Sequence, residues 1–83
     1  MKTHPLDITD TAEHEARRRG WNLWSIRDDF PGAAVTIYHR NALAAVLDKL
    51  HWPLADIADA LGYPTDEACQ FGIKQGKERG DLE

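Results

Sequence analysis

Apolar residues recur at i, i+3, i+4 and i+7 in two neighbouring stretches, first Leu43, Val46, Leu47 and Leu50, then Leu54, Ile57, Ala58 and Leu61. That spacing lines one face of a 3.6-residue helix, so both stretches are expected to be amphipathic helices. Asn41 is placed to cap the first, and Pro53, with its fixed φ, to start the second. A third run opens after Gly62. Thr65 is its expected cap, and Asp66 and Glu67 in its first turn complement the positive end of a helix dipole. Ala68 and Phe71 are expected to point back into the angle between the last two helices. Gly72 and Gly76 each disfavour helix by roughly 1 kcal/mol relative to Ala, so this helix is expected to fray or stop near Gln75 or Gly76.

The pattern is thinner upstream. Thr9 to Arg19 reads as a helix, with Asp10 and Glu13 in a capping-box arrangement, Glu13–Arg17 and Glu15–Arg19 as i,i+4 pairs, and Gly20 as its stop. Its apolar face is only Ile8, Ala12 and Ala16. From Trp21 to Arg40 the period changes to two. Trp24 and Ile26 fall on one side of one run, Val35 and Ile37 on one side of another, with Asp28-Asp29-Phe30-Pro31-Gly32 between them, so a β-hairpin is expected. Two strands alone are marginal in water, which requires that face, Trp24 included, to pack on the helices.

The expected fold is α+β and mainly helical: an N-terminal helix, a β-hairpin, then a three-helix bundle. At 83 residues, 42% of them hydrophobic, one domain over residues 1–83 is the ceiling, with 1–6 and 80–83 as loose ends. A lone Cys69 cannot form an internal disulfide, and no apolar run has the length and flanks of a signal peptide or spanning helix. The expectation is a soluble cytoplasmic protein with no membrane contact. The formal net charge is −4. Residues 1–50 are balanced, seven basic against seven acidic, so the whole excess falls on residues 51–83, three basic against seven acidic.

Leu54 to Phe71 places small Ala58, a turn at Leu61-Gly62-Tyr63 and a capping Thr65 at the spacing of helix, tight turn, helix. This segment resembles the helix-turn-helix of small prokaryotic and phage DNA-binding regulators over about a fifth of the chain. The resemblance implies a non-enzymatic transcriptional regulator on duplex DNA, working as a homodimer because one unit reads few base pairs. Its contacts would be Thr65, Gln70, Lys74 and Lys77 on the last helix, with Arg17 and Arg18 as further phosphate contacts. The plainer reading of Arg17, Arg18 and Arg19 is a solvated face paired with Glu13 and Glu15. Asp66 and Glu67 depart from the pattern, since carboxylates at the start of a reading helix repel phosphate.

That departure keeps a second reading open. A small acidic chain with exposed aromatics could occupy the nucleic-acid groove or regulatory surface of another protein, as phage-encoded inhibitors such as anti-CRISPR proteins do. Trp21, Tyr38, Asp66 and Glu67 are then the partner-binding residues. Trp21 and Trp52 read either as core or as anchors. Catalysis finds no support: Cys69 in a helical apolar pattern reads as a small buried hydrophobe, and adjacent carboxylates such as Asp28-Asp29 are ordinary turn chemistry. His4, His14, His39 and His51 have no metal-ligand spacing, and Gly72, Gly76 and Gly80 lack the strand context of a phosphate loop. No metal, cofactor or small-molecule substrate is expected.

Overall fold

Asn22 overturns the expected hairpin. Its side-chain oxygen accepts a hydrogen bond from the backbone N–H of Ser25 at 3.1 Å, which caps a helix where a strand was expected. The computed structural model describes residues 8–29 and 32–78. Within them lie five helices, α1 (Ile8–Arg18), α2 (Leu23–Asp28), α3 (Ala34–Lys49), α4 (Leu54–Leu61) and α5 (Asp66–Glu78), and no strand. The fold among the described residues is all-α. Phe30 and Pro31, and the loose ends expected at 1–6 and 80–83, lie outside them.

The physical reason for the difference is which side chains are buried. In α2 the inward residues are Leu23 and Ile26, three apart, while Trp24 is 45% exposed. A helix turns positions three apart onto one side, so the apparent Trp24–Ile26 alternation does not define a face. Val35 and Ile37 begin α3 and are exposed. Their β-branched shapes favour strands, yet neither supplies the buried surface a strand needs; the buried residues of α3 start at Arg40. Trp24 is therefore not a core residue. Asn41 is not a cap but a buried residue inside α3.

Helix α1 follows the expected boundaries within one residue. It starts at Ile8, so Asp10 lies in its first turn rather than at its cap. Ala12 and Ala16 are fully buried, and Gly20, at φ +81°, ends the segment in the left-handed region. Small residues there let α1 approach α3 and α4 closely. The core gathers Leu23, Ile26, Leu43, Leu47, Ile57 and Leu61 with Tyr63, Cys69 and Ile73. Its centre is α3, which packs against every other helix, whereas α5 packs only on α3 and α4 among the described residues.

The α3–α5 crossing reverses the expected role of two glycines. Cys69, Gly72, Ile73 and Gly76 form the buried face of α5, and the helix runs on to Glu78 instead of stopping at Gly76. A Cβ on Gly72 would collide with the Tyr63 hydroxyl and lie 2.6 Å from Asn41 Oδ1; one on Gly76 would collide with the Asn41 carbonyl oxygen and lie 2.9 Å from Ala45 Cβ. The missing side chain at Gly76 thus lets the backbones of α3 and α5 meet, and the one at Gly72 leaves room for the Tyr63 and Asn41 side chains. Between α4 and α5, Gly62 sits at φ +81° and its N–H reaches the Ala58 carbonyl. Thr65 Oγ1 accepts from the Ala68 N–H at 3.1 Å, capping α5.

Candidate interaction surface

The outer side of α5 is an accessible helical surface with chemistry on it. Its exposed residues are Asp66, Glu67, Gln70, Phe71, Lys74, Lys77 and Glu78. Phe71 is 64% exposed and does not enter the angle between α4 and α5. It forms one wall of a cleft of about 160 Å³, whose other lining residues are Ile37, Arg40, Asn41, Tyr63, Ala68 and Gly72. The cleft exists because Gly72 and Ala68 are small, which leaves a recess between Phe71 on α5 and Ile37 on α3.

A polar network holds the floor of this recess. Arg40 is 1% exposed. Its Nε donates to the Leu61 carbonyl at 3.1 Å, and its Nη2 donates to the carbonyls of Ile26 and, at 3.0 Å, Asp29. These acceptors belong to the C-terminal ends of α4 and α2, where unpaired carbonyls carry the negative end of the dipole and favour a cation. The Arg40 guanidinium also lies 5.8 Å from the centre of the Tyr63 ring. Burial lowers the Arg40 pKa from its ordinary value, with Tyr63 and Asp29 opposing; an arginine stays protonated regardless. Tyr63 donates its hydroxyl to Asn41 Oδ1 at 2.8 Å, and burial raises its pKa above the usual phenol range.

The residues expected to touch DNA are dispersed and mostly engaged elsewhere. Thr65 caps α5. Lys77 bridges to Asp48 at 2.5 Å. Arg17 pairs with Glu13 at 3.1 Å and Arg18 with Glu15 at 2.7 Å, on a helix that makes no contact with α5 among the described residues. Arg19 pairs with the same Glu15 at 2.9 Å. Hydrogen bonding to Arg18 lowers the Glu15 pKa, opposed by burial and helped by Arg19. Of the residues expected to touch DNA, Gln70 and Lys74 stand outward on α5 with no side-chain ion pair or hydrogen bond among the described residues.

The residues expected at a partner interface divide into two groups. Asp66 and Glu67 are exposed at the start of α5. Trp21 and Tyr38 are half-buried and meet edge to face at 6.5 Å, with His39 stacked on Trp21 at 3.8 Å and an interplanar angle of 13°. Burial lowers the His39 pKa, which favours its neutral form at this stack. Trp21 and His39 line a separate, open depression with Asn22, Asp28, Asp29 and Thr36. Trp52 is half-buried against the core.

Sequence reasoning passes over Arg40, Asn41 as a buried partner, and Phe71 as an exposed residue. The signal for α5 was present: Cys69, Gly72, Ile73 and Gly76 recur at i, i+3, i+4 and i+7 once glycine is allowed as a packing residue. Cys69 is fully buried, and burial foremost pushes its thiol up to about 11, a protonated group with little nucleophilic character at neutral pH. Among the described residues no three His, Cys, Asp or Glu side chains lie together as a metal ion would need, and no helix is long and apolar enough to cross a membrane. No family model, curated protein or solved structure matches this chain, so its function is argued from its own residues.

Proposed function

We propose that the chain is a non-enzymatic binding protein that engages a protein partner through the outer side of α5, the partner presenting a basic surface of the kind that binds nucleic acid. The observation that carries this is Phe71, a large aromatic 64% exposed beside an apolar cleft and set among the carboxylates Asp66, Glu67 and Glu78. Exposed aromatics with adjoining recesses are typical anchors of protein interfaces. The acidic balance of residues 51–83 complements a basic partner and speeds encounter with it. Occupying such a surface would exclude nucleic acid from it, the mode of action of a small inhibitor.

A second reading, a homodimeric helix-turn-helix regulator on duplex DNA, is favoured by the left-handed turn at Gly62, the Thr65 cap, and Gln70 and Lys74 on the outer side of α5. Electrostatics weigh against it. Phosphate neutralisation supplies most non-specific affinity, and the exposed carboxylates of α4 and α5, Asp56, Asp59, Asp66, Glu67 and Glu78, outnumber Lys74, the one lysine of those two helices not ion-paired among the described residues.

Titration of a labelled random duplex of about 20 base pairs separates the two. At about 50 mM salt the protein-partner reading expects no saturable binding. Binding that saturates there and weakens by orders of magnitude near 200 mM salt would instead establish the regulator reading.

A further inference from the structure

We infer that the α3–α5 cleft is a socket for one apolar side chain of a partner segment that carries a lysine or arginine next to that side chain. The inference rests on the protein-partner reading and specifies what the partner must present.

Size excludes most other occupants. Sites for drug-sized ligands run to roughly 300 Å³ or more, and this cleft measures about 160 Å³. An apolar cavity of roughly 150 Å³ accommodates a benzene-sized group, so the space suits one Leu, Met or Phe side chain. Its walls are Ile37, Ala68 and Phe71. The polar groups at its floor are turned onto one another: Tyr63 bonds Asn41, and Arg40 bonds the carbonyls of Leu61, Ile26 and Asp29. An entering group therefore meets apolar surface and is not required to satisfy buried polar atoms, which selects against a polar ligand.

Charge selects what stands beside it. Glu67 lies four residues before Phe71, one turn along the same side of α5, and Asp66 precedes it; both are exposed. On the α3 wall, Thr36 and Tyr38 flank Ile37 in sequence, and among the described residues lining the cleft the only charged one is the buried Arg40. Lys74, three residues after Phe71, is the one exposed cation of α5 not held in an ion pair among the described residues, and Asp66, Glu67 and Glu78 outnumber it. The α5 side is thus net negative, and a cation adjacent to the apolar anchor completes the fit.

The test follows amide resonances of the full chain during titration with synthetic peptides of about twelve residues. One carries a central Leu on a Lys-rich background; a second replaces that Leu with Ala; a third replaces the Lys residues with Glu. The Leu/Lys peptide is expected to shift Ala68, Phe71 and Gly72 and to bind about tenfold or more tightly than the Ala/Lys peptide. The Leu/Glu peptide should leave those amides unmoved, and Glu67→Lys should weaken the Leu/Lys peptide severalfold. Equal affinity for the Leu and Ala peptides, or no shift at these three residues up to about millimolar peptide, overturns the inference. Shifts at Ile37 and Phe71 that grow with protein concentration alone also overturn it, in favour of a second copy as occupant. If the peptides fail and duplex DNA is not bound, the socket is lost while the protein-partner reading stands; if duplex DNA moves the α5 amides, both fall.

Discussion

Replacing Arg40 with alanine is expected to lower the free energy of unfolding by about 3–5 kcal/mol, read by urea denaturation with far-UV circular dichroism. The magnitude follows from what the guanidinium does. It donates to the carbonyls of Leu61, Ile26 and Asp29, and a charged donor contributes about 1.5–3 kcal/mol per bond when its acceptor has no substitute. Loss of Arg40 removes the donor to the Leu61 carbonyl and leaves the Ile26 carbonyl only the Asp29 N–H, together with a void where a large side chain was fully enclosed. Small domains have about 5–15 kcal/mol in total, so Tm should fall by roughly 15 °C or more. Arg40→Lys should recover little, because a single ammonium cannot reproduce the fork that reaches two helix ends. A loss under about 1 kcal/mol for the alanine variant would show that these bonds are not formed.

The second large effect has a sign that distinguishes two accounts of α5. If Gly76 were simply a weak point in a fraying helix, Gly76→Ala would stabilise the protein by about 1 kcal/mol through helix propensity. With Gly76 packed on α3, the same change is expected to destabilise it by about 2–3 kcal/mol. The added carbon meets the Asn41 carbonyl oxygen and Ala45 Cβ. The first is backbone of a helix that touches every other helix, so relief requires α5 to move away from α3. Gly72→Ala should behave alike, since its new carbon meets the Tyr63 hydroxyl and Asn41 Oδ1 and so disturbs their 2.8 Å bond. Gly20→Ala is the control: nothing lies within 4 Å of its added carbon, leaving only the cost of φ +81°, about 1 kcal/mol.

Helix α4 and the turn into α5 are legible in the sequence because α4 carries a clean period, whereas Leu50, expected on the apolar face of α3, is 54% exposed. Ile57, Ala58 and Leu61 are buried as their spacing requires, and Gly62 and Thr65 mark the turn by local chemistry that needs no tertiary context. The segment from Trp21 to Arg40 is misread for a complementary reason. Trp24, Val35 and Ile37 have strand-favouring shapes, but all three are exposed in the folded chain. Alternation in a sequence reports a buried face only when the apolar residues are the buried ones. Asn22, whose side chain caps α2, is the local cue that outweighs them.

The candidate site is less legible than the fold. Charge and exposure at Asp66 and Glu67 follow from their place at a helix start, whereas Phe71 is assigned inward by its apolar character and lies outward because Gly72, not Phe71, meets α3. Arg40 is one cation among several in the sequence. Its role depends on helix ends contributed by residues 14 and 21 positions away, Ile26 and Leu61, and no local pattern encodes that convergence.

Everything functional depends on the side of α5 that carries Phe71 being turned to solvent. The direct measurement is the equilibrium stability of Phe71→Ser. A side chain 64% exposed should be replaced at a cost within roughly 0.5–1 kcal/mol. A loss of about 3–5 kcal/mol, the cost of emptying a core position of phenylalanine, would place Phe71 inside the protein and contradict the account.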